Sequence, residues 1–198
     1  MTLVGLLLAA GAGRRMGRPK ALLRDRSGVP FLDRVIGSLL EGGCERVTVV
    51  VGAAADEAMS MLEEAGWVED PAVGVVMAED WQEGMGASLR AGLRTLDSGE
   101  AALVTLVDLP DVDETVVRRI AAAGSGPDAL VRATYDGRPG HPVLIGRNHW
   151  PGVLSTARDD QGAREYLAAH EHVACECGDL ATGRDVDEPG DLDGPSHS

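Results

Sequence analysis

Aromatic residues are scarce in this chain: one Phe, two Tyr and three Trp among 198 positions. Any core it builds is therefore mostly aliphatic, and the length suits one large domain, expected over residues 1–192. Cysteine is also sparse. Cys44, Cys175 and Cys177 are an odd number, and the Cys-x-Cys pair has no second Cys/His pair at zinc-finger spacing, so the three read as reduced structural thiols. Positive charge is in deficit, with 18 Lys and Arg against 32 Asp and Glu, a formal net charge of −14 and a pI near 4.6. That balance argues against a nucleic-acid backbone or an anionic membrane as partner and leaves small molecules or proteins. Long apolar runs are missing too. The longest candidate, 3–10, is too short for a bilayer and has no basic stretch before it, so a cytoplasmic protein without a membrane segment is expected.

What the chain does have is a glycine-rich, basic turn after an aliphatic run. Residues 3–20 read LVGLLLAAGAGRRMGRPK, and 3–8 have the even apolarity of a strand buried on both faces. Gly11, Gly13 and Gly17 then supply backbone freedom and close approach, while Arg14, Arg15, Arg18 and Lys20 gather cations. The spacing is one residue too long for the dinucleotide fingerprint, and no Gly-Lys-Ser/Thr follows as a Walker loop requires. A solvated basic turn is the plain alternative to a phosphate cradle. The acidity of the remaining chain favours the cradle.

Downstream the periodicities alternate. Helices are expected over 31–40, 54–65, 86–96, 112–123 and 163–169, and strands over 46–51, 73–77, 101–107, 129–135 and 172–177, with a short return strand at 142–145. This is the α/β signature: a three-layer α/β/α Rossmann-like fold with a mostly parallel sheet and one antiparallel excursion. The residues 136–140 are read as the turn of that excursion, with His141 in the turn as a substrate contact at most. A short strand and turn are expected at 185–192, and a disordered tail at 193–198.

Three loops should meet at the carboxyl ends of the strands. The first is the turn above. The second holds Gly84, Gly86 and Ser88 at a helix start, where Ser88 either faces a ligand or simply caps the helix. The third is Asp108-Leu-Pro-Asp, where Asp108 is placed to bind a divalent cation and Asp108 or Asp111 caps the next helix. Together they offer cations, glycine backbone, a hydroxyl and a carboxylate, the parts needed to displace pyrophosphate from a nucleoside triphosphate.

Here the residues reach a family. The motif LAAGAGRRMGRPK at 8–20 resembles the signature of nucleotidyltransferases with the GT-A-like Rossmann fold, which include the molybdenum cofactor guanylyl- and cytidylyltransferases. GMGASLRAGL at 84–93, Asp108-Leu-Pro, RPGHPVL at 138–144, QGAR at 161–164 and DVDEPGDL at 185–192 resemble the cytidylyltransferase branch in the same order. The resemblance implies Leu8, Ala9, Ala10, Gly11, Gly13, Met16, Gly17, Gly86 and Ser88 at the nucleotide, Arg15 and Lys20 on the triphosphate, and Asp108 and Asp187 on Mg2+. It places His141 and Arg164 toward the acceptor. Ala10 stands where the guanylyl branch has glycine, which favours CTP. The implied reaction is CMP transfer from CTP to molybdopterin, with a client molybdoenzyme or its chaperone as protein partner. The sequence departs from the pattern at Asp159, where glycine is usual, and at Leu109, where Met or Gln precedes the proline. The same residues also allow transfer to another phosphorylated acceptor, or a repurposed cofactor-binding, accessory or redox protein.

Overall fold

The computed structural model describes residues 2–13 and 17–186. Its elements run β1 (Leu3–Ala9), α1 (Phe31–Glu41), β2 (Arg46–Val51), α2 (Ala55–Glu64), β3 (Val73–Met77), α3 (Met85–Thr95), β4 (Ala101–Leu106), α4 (Glu114–Ala123), β5 (Leu130–Tyr135), β6 (Arg138–Gly146), α5 (Trp150–Thr156), α6 (Arg164–Ala169) and β7 (Val173–Glu176). The strands form a single sheet in the order β3-β2-β1-β4-β6-β5-β7, parallel except for β6.

Every residue of β1 is buried, because helices cover both faces of the sheet. Side chains alternate between two cores: Leu3, Leu7 and Ala9 pack with α1, α2 and α4, whereas Leu6, Leu8 and Ala10 pack with α3, α5 and α6. Full burial of each such leucine side chain contributes about 1.5–3 kcal/mol. Gly92 lets α3 lie close on the sheet, since a Cβ there would sit 2.5 Å from Leu6 Cδ1.

Several local expectations change. The excursion strand is nine residues long and begins at Arg138, because Asp136 and Gly137, both at positive φ, close a two-residue hairpin turn. His141 therefore lies within β6 and not in the turn. The helix expected at 112 starts at Glu114, and its cap is Asp113, whose carboxylate accepts from the backbone of Thr115 and Val116. Asp111 accepts instead from the Thr182 backbone and hydroxyl. Helix α5 had no counterpart in the sequence reading. The strand expected at 185–192 is not formed at 185 and 186, which have no regular structure; 187–198, including the tail, lie outside the described residues.

Candidate active site

The order β3-β2-β1-β4 means that the chain moves outward from β1 and then returns through α3 to β4. Strand order reverses between β1 and β4, and a crevice opens at their carboxyl ends. It is a cleft of about 500 Å3, lined by Leu8 to Gly13, Lys20, Ser88, Leu106 to Asp108 and several residues named below.

Local chemistry fixes each side of the cleft. At Gly13 φ is +57°, and a Cβ would stand 1.9 Å from the carbonyl oxygen of Arg18, so the loop folds back on itself in a way only glycine permits. This return carries the chain through Pro19 into a single helical turn that starts at Lys20. Ala10 is held by its carbonyl, which accepts from the Ala53 backbone at 3.1 Å. On the other side Asp108 follows β4 and is 6 % exposed.

Lys20 and Asp108 meet across the cleft, the Lys20 ammonium donating to Asp108 Oδ2. The other oxygen, Oδ1, is buried with no hydrogen-bond partner. Burial pushes the Asp108 carboxyl above the usual aspartate range, Lys20 opposes that, and the nearby Asp185 charge adds to it. Asp185 arrives because Val186, buried at 2 % exposure, donates its N–H to the Asp108 carbonyl at 2.9 Å. A buried carboxylate oxygen without a hydrogen-bond partner, in a cleft that Asp185 also lines, could hold Mg2+, which takes one or two protein carboxylates and completes its shell with phosphate and water. Among the described residues no group of three His, Cys, Asp or Glu offers a denser metal site.

The structure thus gathers Leu8, Ala9, Ala10, Gly11, Gly13, Lys20, Ser88 and Asp108 around one space. Ser88 does not cap α3. Gly84 occupies the cap position, and the Ser88 hydroxyl, in the first turn, has no hydrogen-bond partner among the described residues. Gly86 does not line the cleft; a Cβ there would meet the Arg158 backbone at 2.6 Å, so this glycine lets α3 pack against the turn before α6. Gly17 is exposed and away from the lining. Arg15, Met16 and Asp187 lie outside the described residues. His141 and Arg164 are not among the residues that line the cleft.

Trp81, Gln82, Met85, Asp160 and Asp185 also line the space and escaped the sequence reading as site residues. For Trp81 the available signal was its rarity, an aromatic three positions before a glycine loop. Asp185 had its signal in the DVDEPGDL motif, two residues before Asp187.

Comparison with known proteins agrees with this architecture. A family model described as a MobA-like NTP transferase domain matches residues 5–173. The chain is 36% identical over 193 residues to the nicotine blue oxidoreductase of Paenarthrobacter nicotinovorans, covering 92% of this chain and 91% of that protein. It is 31% identical over 161 residues to the molybdenum cofactor guanylyltransferase of Rhodobacter capsulatus, covering 78% and 68%. A crystal structure from Mycobacterium sp. strain JC1, of a homologue of a Mycobacterium tuberculosis protein, superposes with a TM-score of 0.78 at 25% identity over 96% of this chain and 93% of that one. The chain belongs to the MobA-like NTP transferase domain family.

Proposed function

We propose that the cleft transfers CMP from CTP to a phosphorylated acceptor of the molybdopterin kind and releases pyrophosphate. The observation that carries this reading is the Lys20–Asp108 pair at the floor of a glycine-walled cleft, with Asp108 Oδ1 unpaired. A site that merely bound a neutral ligand would gain nothing from burying a carboxylate there, because burial of a charge is costly without a compensating partner.

The residues divide the work. The backbone of Ala10 to Gly13 can approach the phosphates closely, and Lys20 supplies charge to the leaving pyrophosphate. Asp108 with Asp185 would hold Mg2+, which neutralises phosphate charge when bound. Ser88 and Trp81 line the same cleft and would contact the nucleoside. Ala10 supports CTP over GTP, since its methyl leaves less room than the glycine of the guanylyl branch. Pyrophosphate release measured with CTP and with GTP, each with Mg2+ and molybdopterin, tests the reading. Release with neither nucleotide would overturn it.

The relationship to the Paenarthrobacter nicotinovorans protein favours one second reading, an oxidoreductase on the same fold. Oxidation of a reduced nicotinamide in the presence of nicotine blue, with no pyrophosphate release from any triphosphate, would establish it in place of transfer.

A further inference from the structure

One border of the sheet is open. Among the described residues β3 ends the strand order, and only β2 pairs with it. The Val47 N–H donates to the Ala72 carbonyl at 2.8 Å, and the Ala78 N–H to the Val51 carbonyl at 2.9 Å. Both backbone groups of a strand residue point to one side, and successive residues alternate, so Gly74 and Val76 serve β2 while Val73, Val75 and Met77 point away from it. The Val73 N–H is taken by the Asp70 carbonyl at 3.0 Å. The N–H and C=O of Val75 and Met77 have no hydrogen-bond partner among the described residues. Natural sheet edges are commonly blunted by charge, proline or a bulge. β3 has none of these: it reads VGVVM, pairs with β2 without a register shift, and leaves Met77 51 % exposed.

The surroundings of this edge carry one sign of charge. Residues 47–89 hold nine Asp and Glu and no Lys, Arg or His, so most of the chain's net charge of −14 gathers there. Glu69 stands shortly before β3, Glu79 and Asp80 directly beyond Ala78, and Glu63 and Glu64 at the end of α2, all of them exposed. Of the nine carboxylates only Glu83 has an ion pair among the described residues, with Arg90 at 2.8 Å. A second copy of the chain would bring the same charges to the edge and be repelled. A cationic strand meets the opposite condition, with backbone partners at Val75 and Met77 and carboxylates at both ends of a strand roughly 16 Å long. Val73 and Val75 are only partly buried against the core beneath α1 and α2, so alternate apolar residues on an added strand would cover them.

We propose that the free edge of β3 is a docking site for a protein partner that supplies an extended segment, apolar at alternate positions and flanked by Lys or Arg, which adds to the sheet as a further strand. Main-chain hydrogen bonds give such an addition its affinity, and the flanking charges and alternate side chains give it specificity. The site goes beyond the reaction in the cleft and does not depend on it. It is nevertheless close to the cleft: the Ala78 carbonyl, next after β3, accepts from the N–H of the cleft residue Trp81 at 3.2 Å.

The test uses the full chain labelled at its backbone nitrogens and a synthetic peptide that alternates valine and threonine over the length of β3 between paired lysines at each end. The peptide should shift the NMR signals of the Val75 and Met77 amides and slow their hydrogen exchange, with affinity that falls as salt rises. The same peptide with glutamates for lysines should not bind, and neither should one N-methylated along its pairing edge. Val75→Pro removes an outward donor that serves no bond within the sheet, so proline is tolerated there; circular dichroism should be unchanged and binding about tenfold weaker. Glu69→Lys combined with Glu79→Lys alters exposed positions outside the strand, and should weaken binding about tenfold and flatten its salt dependence even if the proline variant misfolds. Unmoved Val75 and Met77 amides, equal binding of the acidic peptide, or full binding of the N-methylated one would overturn the proposal. So would a dimer of the unliganded chain that Val75→Pro abolishes, because a second copy would then occupy the edge.

Discussion

Lys20 and Asp108, 88 positions apart in the chain, share a hydrogen-bonded ion pair that neutralises the cleft floor in the absence of substrate. Both partners are parts of the proposed chemistry, so substrate entry must redistribute the pair. Lysine would turn to phosphate and aspartate to metal. Lys20→Met and Asp108→Asn should each lower kcat by about 10²- to 10³-fold, the range found for single groups that stabilise developing charge. Because the two groups act as a unit, the double variant should lose much less than the product of the single losses. Far-UV circular dichroism should match the unaltered protein. Full additivity in the double variant would show that the pair does not work together.

The two loop glycines make opposite predictions. Gly13 has φ of +57° and no room for a Cβ, whereas a Cβ at Gly11 would meet nothing within 4 Å. Gly13→Ala should therefore destabilise the protein by about 1–3 kcal/mol, through strain in the loop itself. Gly11→Ala should leave the melting temperature unchanged and weaken nucleotide binding, because its open space is then the space the phosphates use. Equal effects on stability from both substitutions would contradict this division.

Much of this site was legible from the residues, and the reasons differ by position. The uniformly apolar run of β1 and the hydrophobic spacing of α1 follow from burial alone, so periodicity sufficed. Asp108 was legible because it interrupts an apolar strand at its carboxyl end. His141 was misplaced since the Pro139-Gly140-His141-Pro142 stretch reads as a turn, while the positive φ of Asp136 and Gly137 had already closed the hairpin. Helix α5 escaped because it is short and carries Pro151 and Gly152 in its first turn, where proline is tolerated. Asp185 and Trp81 reach the cleft through long-range contacts, such as Val186 to Asp108, that no local pattern encodes.

Acid should loosen the β5–β6–β7 edge in two separate windows. Glu176 bonds the Thr134 hydroxyl and the backbone of Asp136, Gly137 and Gly178, and these bonds, the Thr134 one foremost, hold its carboxyl down to about 2. A depressed carboxyl stabilises above its unfolded value of 4.5 and loses that contribution as pH falls toward 2. His141 behaves otherwise: folding keeps it neutral down to about 4, so between pH 6.5 and 4 the unfolded chain takes up a proton the folded one refuses, and stability falls. Thermal melts should show Glu176→Gln lowering the melting temperature at pH 7, with the gap closing between pH 4.5 and 2. His141→Gln should flatten the decline between pH 6.5 and 4. A gap that persists unchanged at pH 2 would exclude the Glu176 account.

The base preference should turn on a single methyl group. Ala10 is 4 % exposed and lines the cleft, and its Cβ stands 2.7 Å from where a Cβ at Gly52 would be, with Trp81 Cβ at 2.8 Å from the same point. The ends of β1 and β2 and the Trp81 turn are therefore packed without slack, and room for a larger base cannot come from movement of Gly52. Removing the Ala10 methyl enlarges the cleft wall at the cost of a small loss of packing with its core neighbours. A methyl-sized change in a pocket shifts selectivity by about 10- to 200-fold. Ala10→Gly should accordingly lower the ratio of kcat/KM for CTP over GTP by at least about tenfold, mainly through a gain with GTP. The measurement is pyrophosphate release with the two nucleotides in parallel, and a ratio that stays fixed would remove Ala10 from base selection and leave that role to Ser88, Trp81 and Gln82, which line the same cleft.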